Sequence, residues 1–400
     1  MRWKLSTGWV VCALLIASTA HADSGRKQFT VGKRTYRQLS RIHESVEAEK
    51  YEEALGQTKE LQGRARLNDH ERALIWQTLG FVYSALERLD DAAKSFERCL
   101  ALKALPEDAL LNTQFNLGQV LMAADQYPKA IKVLEDWMSQ VDNPTPQARY
   151  LLAGAYAQTG KPLEALPHIE VALKTAKRPR ESWLTLALSL YLDVGRLKEG
   201  RDTLKRLIGA FPKRSYWLQL ASVYGELGDE ARALAVMELA YAQGHVVGHD
   251  ELLHLSRLYV SQGLPYWGAQ VLEKTMNEGL VKSEVRALEF LANAWIQSRE
   301  LGRAVPPLGK AAQKSEDGEL FLRLAHLHIE REAWADAVGA LESCLKRGAV
   351  KHPGQVHLLK GIAHFSLKQT TQARGAFQKA GQFEATRASS RQWLKHLDER

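Results

Sequence analysis

Trp76-Gln77-Thr78-Leu79-Gly80-Phe81-Val82-Tyr83 is followed by Ala92 and then Phe96. Trp76, Leu79 and Tyr83 recur at i, i+3 and i+7, so they share one face of a helix. Gly80 has no Cβ, which lets a second helix approach closely. Ala92 and Phe96 share a face of that second helix, a small residue beside the aromatic that fills the gap. The stretch therefore predicts two helices folded against each other. Recurrence of the same spacing would turn one hairpin into a fold.

The spacing recurs almost to the end of the chain. Leu117-Gly118 and Leu121 lead to Tyr127, Ala130 and Leu134, and Tyr156 and Gly160 lead to Ala165 and Ile169. Tyr191 and Gly195 precede Leu204 and Leu207, closed by Pro212; Trp217, Tyr224 and Gly228 precede Ala233 and Met237. Tyr259 and Gly263 are followed by Leu272, Trp295 by Ala304 and Leu308, Phe321 by Ala337 and Leu341, and Gly361 by Ala373 and Phe377. A degenerate opening unit runs through Tyr51 and Ala54. The quoted stretch resembles the W-x2-L-G-x2-Y … A-x3-F signature of the tetratricopeptide repeat, a helix–turn–helix unit of about 34 residues. About ten units lie roughly 33 to 38 residues apart. The fold class expected is all-α, a right-handed α-solenoid of about ten such repeats with a C-terminal capping helix.

The domain reading follows. Residues 1–22 read as a secretory signal peptide: Arg2 and Lys4, an apolar run from Trp9 to Ala17, and an Ala20-His21-Ala22 cleavage site. Residues 23–34 are a polar, basic lead-in, 35–383 the solenoid, and 384–400 the cap, with Trp393 and Leu397 on one face and Arg387, Arg391 and Lys395 on the other. The apolar run is short for a membrane span, which takes about 20 residues. Trp3 and Trp9 leave open an uncleaved anchor. Export places the chain in the periplasm of a Gram-negative bacterium.

Net charge is +8, from 54 Lys and Arg against 46 Asp and Glu. Basic residues gather at Arg26, Lys27, Lys33, Arg34, Arg37 and Arg41, and again at Lys174, Lys177, Arg178 and Arg180. These read as solvated helix surface, or as an attraction to an acidic partner or anionic headgroups. An exported chain without a reading motif is not expected to bind nucleic acid. Cys99 and Cys344 occupy small-residue positions of second helices, many units apart, and no structural disulfide is expected. Pro162 and Pro265 sit where second helices begin, a site that suits proline. Pro167 and Pro306-Pro307 fall about a turn further in and predict a late start or a kink.

No catalytic constellation stands out. The chain lacks a G-x-S-x-G elbow, H-E-x-x-H, a phosphate loop and Cys-x-x-Cys. His245 and His249 fall in a glycine-marked connection. His326 and His328 are two apart on a predicted helix and point to different faces. His364 takes the place of an aromatic in other units. No enzyme activity, cofactor or metal is expected.

Binding is what remains. First helices should line the concave groove, and positions one after the consensus Trp, two before the consensus Tyr and two before the Trp should face it. In the first half these positions hold Gln77, Phe81, Asn112, Phe115, Asn116, Gln119 and Tyr150. In the second half they hold Arg257, Phe290, Asn293 and Arg323, with Glu289 and His326 nearby. Amides beside aromatics suit an extended peptide, because an amide both donates to and accepts from its backbone. The eukaryotic co-chaperones that the repeat resembles grip a C-terminal carboxylate with Lys, Arg and Asn. Gln77, Phe81, Asn116, Gln147 and Leu151 stand at the matching positions, and the missing cations do not support that clamp.

A narrower resemblance rests on Tyr216-Trp217-Leu218-Gln219-Leu220-Ala221, on Met237 to Gly244, on Gly263-Leu264-Pro265-Tyr266 and on Val271-Leu272-Glu273-Lys274. These stretches are similar to exported repeat proteins of proteobacteria encoded beside ExbB, ExbD and TonB-type genes. That resemblance implies a non-enzymatic periplasmic scaffold accessory to a proton-driven transport complex, with TonB-, ExbB- or ExbD-like membrane proteins as partners. Membrane association is then expected only through partners or a retained anchor. The alternatives are assembly of envelope or exopolysaccharide machinery, or presentation of substrate to a separate enzyme.

Overall fold

The computed structural model describes residues 29–64 and 66–399. The expected signal, 1–22, and residues 23–28 of the lead-in lie outside the described residues. Among the described residues there are 21 helices and no strand. The chain divides into two compact units, one ending at Phe211 and one starting at Pro212.

The first unit consists of five helix pairs: α1 (Lys33–Glu47) with α2 (Tyr51–Gln62), α3 (Asp69–Ala85) with α4 (Leu89–Leu102), α5 (Glu107–Ala123) with α6 (Tyr127–Met138), α7 (Pro146–Gln158) with α8 (Pro162–Thr175), and α9 (Glu181–Asp193) with α10 (Leu197–Ala210). α1 starts at Lys33 and so takes in the last two residues of the expected lead-in. Each helix packs on the next, and first helices also touch, α5 with α7 and α7 with α9. One apolar strip runs from Ile42 on α1 to Ala155 on α7. This is solenoid packing, in which a unit buries its face only against neighbours.

The second unit repeats the plan with α11 (Arg214–Glu226) and α12 (Glu230–Ala242), α13 (His249–Ser261) and α14 (Pro265–Asn277), α15 (Val285–Gln297) and α16 (Leu301–Lys314), α17 (Glu319–Glu330) and α18 (Trp334–Arg347), and α19 (Pro353–Ser366) and α20 (Thr370–Ala380). A last helix, α21 (Glu384–Asp398), packs on α19 and α20. Trp393 on α21 stacks on Phe377 with ring centres 5.3 Å apart, and Arg387, Arg391 and Lys395 stay exposed. The amphipathic end helix caps the stack.

What makes the pairs alike is their turns. All ten contain one residue in the left-handed region, from Glu49 (φ 58°) and Glu87 (φ 57°) to Lys368 (φ 61°). The following residue donates its N–H to the carbonyl five positions earlier: Arg88 to Tyr83 at 2.9 Å, Arg196 to Tyr191 at 2.8 Å, Ala333 to His328 at 2.8 Å. This closure satisfies a carbonyl that the ending helix leaves open. Its acceptor in these three turns is the buried ring residue at the end of the first helix, so turn and core share one anchor. Gly160, Gly195, Gly228 and Gly263 adopt that conformation without a Cβ penalty. In the other six turns Glu, Asp, Arg or Lys adopts it.

Pro162 and Pro265 open α8 and α14. Of the late start or kink expected at Pro167 and Pro306-Pro307, the late start does not occur: α8 begins at Pro162 and α16 at Leu301, with these prolines inside them. Tertiary packing of Ala165, Ile169, Ala304 and Leu308, all buried, carries these helices through the lost backbone bonds.

Candidate partner-binding face

The residues expected in the groove divide into those the structure uses internally and those it leaves available. Gln77 belongs to the first kind. It lies on α3 but is buried, and its Nε2 donates to Thr113 Oγ1 on α5 at 2.8 Å. Thr113 in turn donates to the Ala109 carbonyl at 2.7 Å. Gln77 is thus a polar bolt between two repeats, which corrects its place on a groove wall. Tyr150 needs the same correction: it is buried on α7 and stacks on Trp183 of α9 at 5.1 Å. Phe81 is half-buried, edge-on to Phe96 at 5.3 Å, and Phe115 is half-buried against Trp137 at 5.0 Å. Both rings pack more than they present.

Asn112, Asn116 and Gln119 are different. They stand at i, i+4 and i+7 on α5 and form one stripe. Asn112 is exposed and the other two are half-buried. No protein partner satisfies their amides among the described residues, whereas neighbouring Gln114 reaches the Val133 carbonyl and receives a bond from Gln140. Three unengaged amides along one helix, beside the Phe115 ring, offer alternating donors and acceptors on an apolar edge.

In the second unit the expected residues split again. Arg323 on α17 donates to Glu289 Oε1 and to Asn293 Oδ1 on α15, each at 2.6 Å. The sequence places these three on successive first helices, and the structure brings them together as one bridge. A shallow recess beside it is lined by Ile296, Leu308, His326, Leu327 and Glu330. Arg257 is exposed on α13, and Phe290 is half-buried on α15.

Other features were not read from the sequence. Carboxylates on second helices hold the ring residues of the next pair: Tyr156 donates to Glu135, and Tyr191 to Glu170 at 3.2 Å. Burial and then Glu170 push the Tyr191 hydroxyl up to about 12. Arg196 lies over the Tyr191 ring and pairs with Glu170 and Glu199 at 2.9 and 2.8 Å. Regular separation between such partners was the available signal. Trp267 and Tyr266, at the start of α14, are exposed although aromatic; only tertiary placement reveals that.

Candidate chemistry is also placed. Cys99 and Cys344 are buried free thiols, pushed by burial to about 12 and about 11. His245 stacks on Trp217 at 6.1 Å, and His249 Nδ1 accepts from the Lys282 N–H at 3.2 Å. His328 and His364 are buried in ring positions, while His326 is exposed. Among the described residues no three His, Cys, Asp or Glu side chains gather as a metal site, and no helix is long and apolar enough to cross a membrane.

Family models match on the same stretches that the geometry repeats. Two described as "Tetratricopeptide repeat" match residues 185–244 and 322–385, and residues 73–104. This chain carries tetratricopeptide repeats. A third model, described as "Anaphase-promoting complex, cyclosome, subunit 3", matches residues 123–207. None of the curated proteins matches the chain. Among solved structures, a tetratricopeptide repeat protein from Parabacteroides merdae is 17% identical, covering 63% of this chain and 98% of that one, with a TM-score of 0.33. The TPR2AB domain of yeast Sti1, in a structure titled as its pHSP90 complex, is 15% identical over 64% of this chain and 99% of that one, with a TM-score of 0.36. YrrB, titled a TPR protein with an unusual peptide-binding site, is 15% identical over 42% of this chain and 83% of that one, with a TM-score of 0.36.

Proposed function

We propose that this tetratricopeptide protein is a non-enzymatic scaffold that binds an extended segment of a protein partner on the first-helix face of its first unit. The observation that carries this reading is the Asn112–Asn116–Gln119 stripe, three amides without a protein partner beside a half-exposed ring. A bound backbone would supply both the acceptors and the donors that these amides lack. The signal-like leader supports a periplasmic setting, and the proteobacterial resemblance supports a role beside a TonB/ExbB/ExbD-type complex. N-terminal sequencing of the exported chain tests the first: a start at Asp23 is expected, and a start at Met1 overturns cleavage.

A photo-crosslinker placed at Asn116 in cells tests the face and the partner together. Recovery of ExbB-, ExbD- or TonB-like proteins supports the transport reading; recovery of a polymer synthase redirects it to envelope assembly. Replacing Asn112, Asn116 and Gln119 by Ala should reduce capture at least about 10-fold, since each lost peptide hydrogen bond is worth about 0.5–1.5 kcal/mol. Helicity should not change. Equal loss from changes confined to second helices would sink the assignment. Substrate turnover by the purified chain alone would overturn the non-enzymatic reading.

A further inference from the structure

The first helix of the array carries a feature that the partner face does not use. Lys33, Arg34, Arg37 and Arg41 all lie exposed on α1. At 100° per residue they fall within an arc of about 100° and extend over about 12 Å of helix. Thr35 and Ile42 are buried on the opposite side, and Ser45 is buried at the edge next to Arg34. None of the four cations is engaged by a carboxylate among the described residues. The acidic residues come later: Glu44, exposed, one turn past the strip, and Glu47, paired with His43 at 3.1 Å. Among the described helices α1 packs chiefly on α2 and α3, and the cation-bearing face stays exposed. Tyr36, 44% exposed, borders the strip.

We propose that this outer face of α1 is a docking surface for the anionic headgroups of a phospholipid bilayer. Four unpaired cations in register match a surface of fixed negative charge. The strip lies on the outside of a helix, where no wall would confine an extended peptide. A flat array of headgroups meets all four cations at once, and Tyr36 is placed to sit at the headgroup level. This gives the protein a direct contact with a membrane, beyond an association through partners or a leader.

Cosedimentation of the full chain with vesicles provides the test. Phosphatidylglycerol mixed into phosphatidylcholine should retain the protein at low salt and release it at high salt, because the attraction is screened. Arg34→Gln with Arg37→Gln and Arg41→Gln should weaken retention on the order of 100-fold, at about one kcal/mol per cation near the surface. The leader is the same in all variants, so the difference reads the strip. Arg387→Gln with Arg391→Gln and Lys395→Gln removes as much charge from α21 and should leave retention unchanged. Equal loss in both triple variants, or equal retention of the α1 variant, overturns the proposal. So does salt-insensitive binding to pure phosphatidylcholine. Capture of a soluble acidic peptide by the strip, with no retention on anionic vesicles, would assign the face to a protein instead. Unchanged circular dichroism is expected for both variants, since every substituted residue is exposed.

Discussion

The Phe96 ring occupies the space that a Cβ on Gly80 would need. Gly361 and Phe377 stand in the same relation near the other end of the chain, and Gly118 with Leu134 keeps the spacing with an aliphatic filler. Two helices close at the glycine, and the large residue from the second fills the contact. Repetition of this joint is the fold.

Gly80→Ala should therefore destabilise the first unit by about 1–3 kcal/mol, because a packed core must shift to admit the methyl group. Gly339, inside α18, has no neighbour within 4 Å of a built Cβ. Gly339→Ala should stabilise by about 0.5–1 kcal/mol through helix propensity alone. Melting temperatures of the two variants should move in opposite directions.

The Gln77–Thr113 bond predicts an asymmetry. Thr113→Val leaves the Gln77 amide buried without its acceptor and should cost about 1–3 kcal/mol. Gln77→Leu leaves Thr113 still donating to the Ala109 carbonyl, and should cost less. The double variant should be no worse than Thr113→Val. Denaturant midpoints of the four proteins measure the coupling; additive losses would contradict an inter-repeat bolt.

Turn geometry gives a third test. Gly195 has φ 74°, and Gly195→Ala should cost about 1 kcal/mol. Lys368 has φ 61° with a side chain, and Lys368→Gly should gain up to about 1 kcal/mol. Thermal melts decide both signs.

Acid should loosen the structure through two named groups. Burial alone would raise the Glu71 carboxyl, but the N–H groups of Asn68 and Gly32, each 3.0 Å away, and the Thr35 hydroxyl hold it below its usual range. Its stabilisation is full above the unfolded value near about 4.3 and is lost as pH falls through the lower folded value. Burial likewise lowers the His328 ring; Asp336 opposes this and Arg331 adds to it. Below about pH 6.5 the unfolded chain takes up that proton first, so stability falls earlier. His328→Tyr, which restores the aromatic found at Tyr191 and Tyr224, should reduce the loss between about pH 7 and 5 while leaving the share of His168, His254 and His357, whose rings burial also lowers, and the Glu71 limb below it. Melting temperature against pH separates the two limbs. An unchanged profile in His328→Tyr would clear that histidine of any role.

Trp76, Leu79, Gly80, Tyr83, Ala92 and Phe96 are local in sequence, and their spacing alone determined the helix pair, its closing glycine and its recurrence. The same register put Cys99, Cys344 and His364 inside, where the structure finds them. Periodicity is a property of the chain, so it was legible there. Position on the first-helix face was not. Gln77 and Tyr150 have the right spacing to face a partner, yet Thr113 and Trp183 from neighbouring first helices cover them. Pro167 and Pro306-Pro307 likewise sit in unbroken helices because buried neighbours outweigh the missing backbone bonds. Sequence spacing determined which residues share a face. Only the packing of one repeat on the next decided which of them remain free, because burial depends on what the adjacent helix brings.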